Sequence, residues 1–369
     1  MSIFDISTIF ELDETDIVVR KKIKKVKISH TIPWVDKYRP IDIKSIVSQD
    51  HIIKILENSV ETGELPHLLF YGPPGTGKTS TILAIARKMF GPNKFNERVI
   101  QLNASDERGI SIVRDKIKDY AKTTITKKDP NYICPPFKII ILDEADSMTP
   151  KAQFALRKII ENYAHNTRFC FICNYINRII SPIVSRCKGL RFNPIEPDSM
   201  YKKLYDIAKK ENVDIDKESL EKLIDISKGD MRQAIMLLWN LNYSLKYKGK
   251  ITPKIVCDTA AIIPDEIMND LWNFCLLDLE TKDTKKIITM AKKIRSYGFP
   301  INNLLKQIVE MVIIEKKISD DKKAKICMHL ASTHKILNDG ANEYIQLLNT
   351  LTFIKAIVIG ADSEPIDAL

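Results

Sequence analysis

Gly72, Pro73, Pro74, Gly75, Thr76, Gly77, Lys78 and Thr79 run together as GPPGTGKT, which fits the pattern G-x-x-x-x-G-K-[ST]. The chemistry of such a run is phosphate binding. Glycines let successive backbone N–H groups curl around anionic oxygens, and the positive end of a following helix adds to the pull. Lys78 is placed to reach the β- and γ-phosphates of a nucleoside triphosphate, and the Thr79 hydroxyl to ligate Mg²⁺. The context agrees: apolar HLLFY precedes the run and STILAIARKMF follows it, a strand and then a helix.

IIILDEAD, residues 139–146, supplies the complement. Its apolar half reads as a buried strand, and its acids follow at the C-terminal end, where ligands of parallel α/β sheets bind. Asp143 is expected to hold Mg²⁺ directly or through water, and Glu144 to orient and deprotonate the attacking water. Asn174 ends the next apolar run, RFCFICN, where a neutral amide can position that water or touch the γ-phosphate. Arg232, in GDMRQA, opens a helix, an unfavourable place for a cation unless an anion compensates; a γ-phosphate is one candidate. Arg186, in SPIVSRCKGL, has no acidic residue within several positions. Its partner therefore lies elsewhere on the chain or on another chain.

The elements that must position these groups follow from periodicity. HLLFYG, RVIQLNAS, KIIILDEAD and RFCFICN are β-like runs separated by stretches with apolar residues at helical spacing. That alternation predicts a parallel sheet with helices on both faces, over residues 31–195. In PKAQFALRKIIENYA, Thr149 is placed to cap the helix, with Pro150 in its first position. After RFNPIEP the β-like runs stop. Residues 196–262 read as a small helical domain and residues 263–361 as a larger all-helical one, with a tail at 362–369.

Seven cysteines without an export signal point to reduced thiols. Cys170 and Cys173, three apart on a strand, point to opposite faces and do not make half of a zinc site. No apolar run approaches the ~18–20 residues of a membrane span. The net charge of +10 is partly concentrated in RKKIKKVK, residues 20–27. That run is read as a solvated stretch, a nuclear address or a phosphate contact within a flexible extension, residues 1–30.

PWVDKYRP (33–40), GPPGTGKT, LNASDERGI (102–110), ILDEADSM (141–148), FICNY (171–175), SRC (185–187) and GDMRQA (229–234) stand in this order along the chain. Together they make it resemble the AAA+ ATPases, and more narrowly the small subunits of the replication factor C clamp loader. The resemblance implies an AAA+ P-loop domain, a helical lid and an all-α collar. It implies ATP and Mg²⁺ as cofactors, with Val35 and Arg39 of the PWVDKYRP segment near the base. Asn174 and Arg232 match the sensor residues, and Arg186 matches the finger that completes a neighbouring subunit's site.

The implied assembly is a heteropentamer that opens a sliding clamp on primer–template DNA, in a nucleus or in the replication compartment of a large DNA virus. Lys151, Arg178 and Arg114 are the counterparts of its backbone-tracking DNA contacts, and no base-reading motif is present. The chain departs from the family pattern at Ser48, where glycine is usual, and in SRCKGLRF after the finger. Two other readings stay open from sequence: a scaffold subunit that binds nucleotide and rarely hydrolyses it, and a different AAA+ DNA machine such as a branch-migration helicase.

Overall fold

Five segments become the strands of one parallel sheet, whose order across the sheet, counting strands along the chain, is second, third, fourth, first, fifth. In this computed structural model residues 32–104, 110–123, 130–244, 249–277 and 284–359 are described. The basic run at 20–27, the extension before it, part of the LNASDERGI string and the C-terminal tail lie outside those residues. The chain divides into two compact units, Met1–Tyr38 and Arg39–Leu369. Of the first, residues 32–38 are described, and they hold the single-turn helix α1 (Trp34–Lys37).

In the second unit, α2 (Asp50–Thr62) leads to β1 (Leu68–Tyr71), α3 (Lys78–Arg98), β2 (Val99–Asn103), α4 (Ile110–Lys122), β3 (Lys138–Asp143), α5 (Pro150–Tyr163), β4 (Thr167–Cys173), α6 (Ser181–Val184) and β5 (Lys188–Arg191). β3 is Ile-rich because both faces of the sheet are covered. Ile139 and Ile141 join Phe70, Cys170 and Ile172 in one core, while Ile140 and Leu142 join Leu69, Phe171 and Cys173 in the other. Cys170 and Cys173 thus face opposite sides, as their spacing predicts, and no metal-binding cluster occurs among the described residues.

Two local features depart from the periodicity reading. β5 does not show in the periodicity, because KGLR buries only Leu190 and carries charge at both ends; it is an edge strand, paired with β1 alone. The helix after the phosphate run does not stop at Gly91. That residue breaks α3 with a φ of 66°, and helical structure resumes through Pro92 to Arg98. The start of α5 is as expected, with Thr149 Oγ1 accepting a hydrogen bond from Ala152 N at 3.4 Å.

The remaining described helices are α7 (Pro197–Lys210), α8 (Lys217–Ser227), α9 (Met231–Ser244), α10 (Pro253–Thr259), α11 (Asp265–Leu277), α12 (Thr284–Ser296), α13 (Ile301–Ile314), α14 (Asp320–Asn338) and α15 (Glu343–Ile359). The first four pack on one another. The last five close around a separate core that includes Trp272, Leu304, Ile308, Leu347 and Ile354. No described helix is long and apolar enough to cross a membrane.

Ser48, the departure from the family's glycine, takes a φ of 59°. Its hydroxyl is buried and has no hydrogen-bond partner among the described residues. A side chain in the left-handed region costs roughly 1–2 kcal/mol, and an unmet buried hydroxyl adds to that. Extra freedom of glycine in the unfolded chain returns about 0.5–1 kcal/mol of it. Ser48→Gly is therefore expected to stabilise by about 1 kcal/mol and raise the melting temperature by about 2 °C. A scan showing a lower melting temperature would contradict this.

Candidate nucleotide site

The sheet order sets the site. β1 lies inside the sheet between β4 and β5, so the phosphate run leaves beside the ends of its neighbours. Register pairs Tyr71 with Cys173 and Leu142 with Phe171, which brings the C-terminal ends of β1, β3 and β4 level. Lys78, Asp143, Glu144 and Asn174 all stand at that edge.

At Gly72 glycine is required by space as well as by its positive φ, because the obstacle is backbone; at Gly75 a Cβ would displace the Asp230 carboxylate. A Cβ on Gly72 would lie 2.2 Å from Phe192 O, and one on Gly75 would lie 1.7 Å from Asp230 Oδ1. Thr76 Oγ1 donates to Pro73 O at 3.0 Å and fastens the turn. Lys78 is 7% exposed, and its ammonium spans the edge of the sheet. It donates to Gly72 O at 2.8 Å, Pro73 O at 2.7 Å and Asn174 Oδ1 at 2.9 Å. Burial pushes its pKa down, and the negative charges of Asp143, Asp146 and Asp230 oppose that shift.

Thr79 Oγ1 donates to Asp143 Oδ2 at 2.9 Å. A hydroxyl and a carboxylate so close together are hard oxygen donors of the kind Mg²⁺ takes alongside waters and phosphate oxygens. The donor set therefore fits the cation. Glu144 is exposed and sits in the left-handed region, with φ 53° and ψ 39°. Its N–H donates to Asp143 Oδ1 at 3.1 Å. Strained backbone of this kind gathers at functional sites, where it fixes the direction of a side chain.

Three residues of this site were not singled out from sequence. Asp146 Oδ2 accepts from the N–H groups of Asn174 at 3.1 Å and Tyr175 at 3.2 Å, which fixes the strand end carrying the amide. Gln153, 1% exposed, donates to Met148 O at 3.2 Å and Arg178 O at 2.9 Å, and accepts from Ile180 N at 2.8 Å. Asp230 caps α9 by accepting from Gln233 N at 3.0 Å, while Met231 N donates to Gly75 O at 3.3 Å.

Asp230 also bears on the electrostatics of Arg232. The helix end near Arg232 already has a carboxylate, so no further anion is needed to account for it. Arg232 is exposed, with no hydrogen-bond or ion-pair partner among the described residues. Arg39 Nε donates to Ser80 Oγ at 3.3 Å, on the helix that follows the loop. Val35 lies in α1, within the other compact unit.

Arg186 has its partner within the chain. Its Nη2 meets Glu161 Oε1 of α5 at 2.7 Å, and its Nη1 donates to Pro182 O at 2.7 Å. Lys151 is exposed in the first turn of α5. Arg178 is exposed, its guanidinium 5.2 Å from the Tyr175 ring centre. Arg114 falls in α4, and its side chain is outside the described set.

Parallel order, phosphate run, strand-end acids and a lid resting on the loop define an AAA+ P-loop nucleotide-binding protein. Family models agree: "ATPase family associated with various cellular activities (AAA)" matches residues 68–194, "RCF1/5-like, AAA+ ATPase lid domain" residues 202–238, and "Replication factor C C-terminal domain" residues 263–352. Replication factor C subunit 2 of Schizosaccharomyces pombe is 44% identical over 92% of this chain and 98% of its own length. Human replication factor C subunit 4 is 44% identical over 88% of each. A putative replication factor C small subunit of Acanthamoeba polyphaga mimivirus is 40% identical over 89% of this chain and 97% of its own. The chain belongs to the replication factor C small-subunit family.

Proposed function

We propose that this chain is an ATP-hydrolysing subunit of a heteropentameric clamp loader, which opens a ring-shaped sliding clamp and places it on primer–template DNA. Support comes from one observation above all. Lys78, Thr79, Asp143, Glu144 and Asn174 meet at one edge of the sheet in a polypeptide that also carries a replication factor C C-terminal domain.

In this reading residues 31–195 bind nucleotide, 196–262 form the lid and 263–361 the oligomerising collar. Gly72 to Thr79 wrap the phosphates of ATP, and Lys78 carries positive charge to them. Thr79 and Asp143 hold Mg²⁺, which when bound neutralises charge on the phosphate oxygens. Glu144 takes a proton from the attacking water, and Asn174 orients it. Arg232 approaches the γ-phosphate from the lid. Val35 and Arg39 pack near the base. Arg186 completes the site of the adjoining subunit, where a guanidinium's fixed charge and paired donors suit a phosphate.

Lys151, Arg178 and Arg114 follow the DNA backbone without reading sequence. An ammonium at the start of α5 meets a phosphate at the positive end of that helix's dipole. The place of action is a nucleus or a viral replication compartment.

The test is reconstitution with sibling subunits, a ring clamp and primed DNA. ATP turnover by the isolated chain should be weak and should rise when all three are added, with clamp recovered on the DNA. Full-rate hydrolysis by the chain alone, or unwinding of duplex DNA, would overturn the reading.

A further inference from the structure

We infer that Glu161 is a positioning residue for the trans-acting Arg186. This inference rests on the proposed finger role of Arg186 and asks what aims that side chain.

Arg186 lies just beyond the short helix α6, on a long side chain with several rotatable bonds. Left alone it would sample many rotamers and lose that freedom on meeting a phosphate. Instead both of its terminal nitrogens are held. Nη2 meets Glu161 Oε1 at 2.7 Å; Nη1 donates to Pro182 O at 2.7 Å and, more weakly, to Ser185 Oγ at 3.5 Å. A guanidinium has five N–H groups. Those three contacts leave the Nε–H and one Nη2–H, enough for a bidentate contact with phosphate oxygens. The pair with Glu161 therefore need not break for the finger to act.

Glu161 is itself fixed. It stands one helical turn after Arg157 on α5, whose opposite side is anchored in the core by Leu156, Ile159 and Ile160. Arg157 Nε donates to the same Oε1 at 3.1 Å. The hydrogen bond from Arg157, joined by the charge and hydrogen bond of Arg186, holds the Glu161 carboxyl below its ordinary range. One carboxylate oxygen thus draws two guanidinium groups to the same outer edge of the domain. Fold stability does not account for the arrangement, since ion pairs this exposed contribute little. Orientation does: a misplacement of about 1 Å at a reacting centre can cost 10²-fold in rate.

The experiment is steady-state ATP hydrolysis by the reconstituted complex with Glu161→Ala, Glu161→Gln and Arg186→Ala, singly and in the Glu161→Ala/Arg186→Ala pair. Expected is a fall in kcat of about 10-fold for Glu161→Ala, a smaller fall for Glu161→Gln, which keeps an acceptor oxygen, and unchanged ATP affinity at the chain's own site. In the Arg186→Ala background Glu161→Ala should cost nothing more, as expected when one residue acts through the other.

If Arg186→Ala lowers kcat and neither Glu161 variant does, the positioning role fails while the finger stands. If Arg186→Ala itself has no effect, the finger reading fails. An additive double variant overturns the coupling. Sedimentation reports assembly, and Glu161→Gln carries the test if the alanine variant does not assemble.

Discussion

An assembled complex carrying Arg186→Ala in this chain is expected to lose roughly 10³–10⁵-fold in ATP turnover at the adjoining subunit's site, the range of arginine fingers supplied in trans to GTPases. The size follows from chemistry. Charge builds on the γ-phosphate oxygens during transfer, and a guanidinium placed there works without reorganising water. Folding should barely register the change, because Arg186 is a partly exposed member of a surface ion pair, worth about 0.2–1 kcal/mol. Single-turnover hydrolysis would isolate the affected site, with the remaining sites silenced at their own phosphate-loop lysines. Unchanged turnover there would remove Arg186 from the chemistry.

Glu144→Gln should lower turnover at the chain's own site by roughly 10²–10⁴-fold, the usual contribution of a general base, and leave nucleotide binding in place. Gln preserves shape and hydrogen bonding but cannot take up the proton of water. Asp143 cannot stand in, because in the proposed reading it is committed to Mg²⁺. Binding should persist because Lys78, Thr79 and Asp143 are untouched. Titration calorimetry with ATP and a phosphate-release assay separate the two quantities. A loss smaller than about 10-fold, well below the usual effect of a general base, would assign deprotonation elsewhere.

How much of this was legible in the sequence depends on distance along the chain. The phosphate run is local: eight consecutive residues carry their own geometry, and the strand and helix around it show in periodicity. Asp143, Glu144 and Asn174 could be placed because apolar runs end there and parallel strands end level. Side chains that grip backbone far away leave no such trace. Gln153 reaches Arg178 O across 25 positions, and nothing in PKAQFALRK distinguishes that Gln from a solvated one. Glu161 likewise reads as an ordinary outer-face acid until Arg186 folds back onto α5.

Asp230 is a different case. An Asp followed three residues later by Gln is a helix-start signature, and Asp230–Gln233 shows it openly. That acid already offsets the helix dipole beside Arg232, so the dipole alone calls for no further anion there. β5 stayed hidden because an edge strand with one buried residue carries almost no alternation. Ser48 is the converse: its departure from the family was visible at once, while its meaning waited on the backbone angle.

The contact between Gly75 and Asp230 also bears on modularity. The loop glycine and the carboxylate at the helix start lie so close that a side chain on Gly75 would push Asp230 off the Gln233 N–H it caps. Lids exchanged between sibling subunits would therefore keep that helix start only where the loop keeps its glycine.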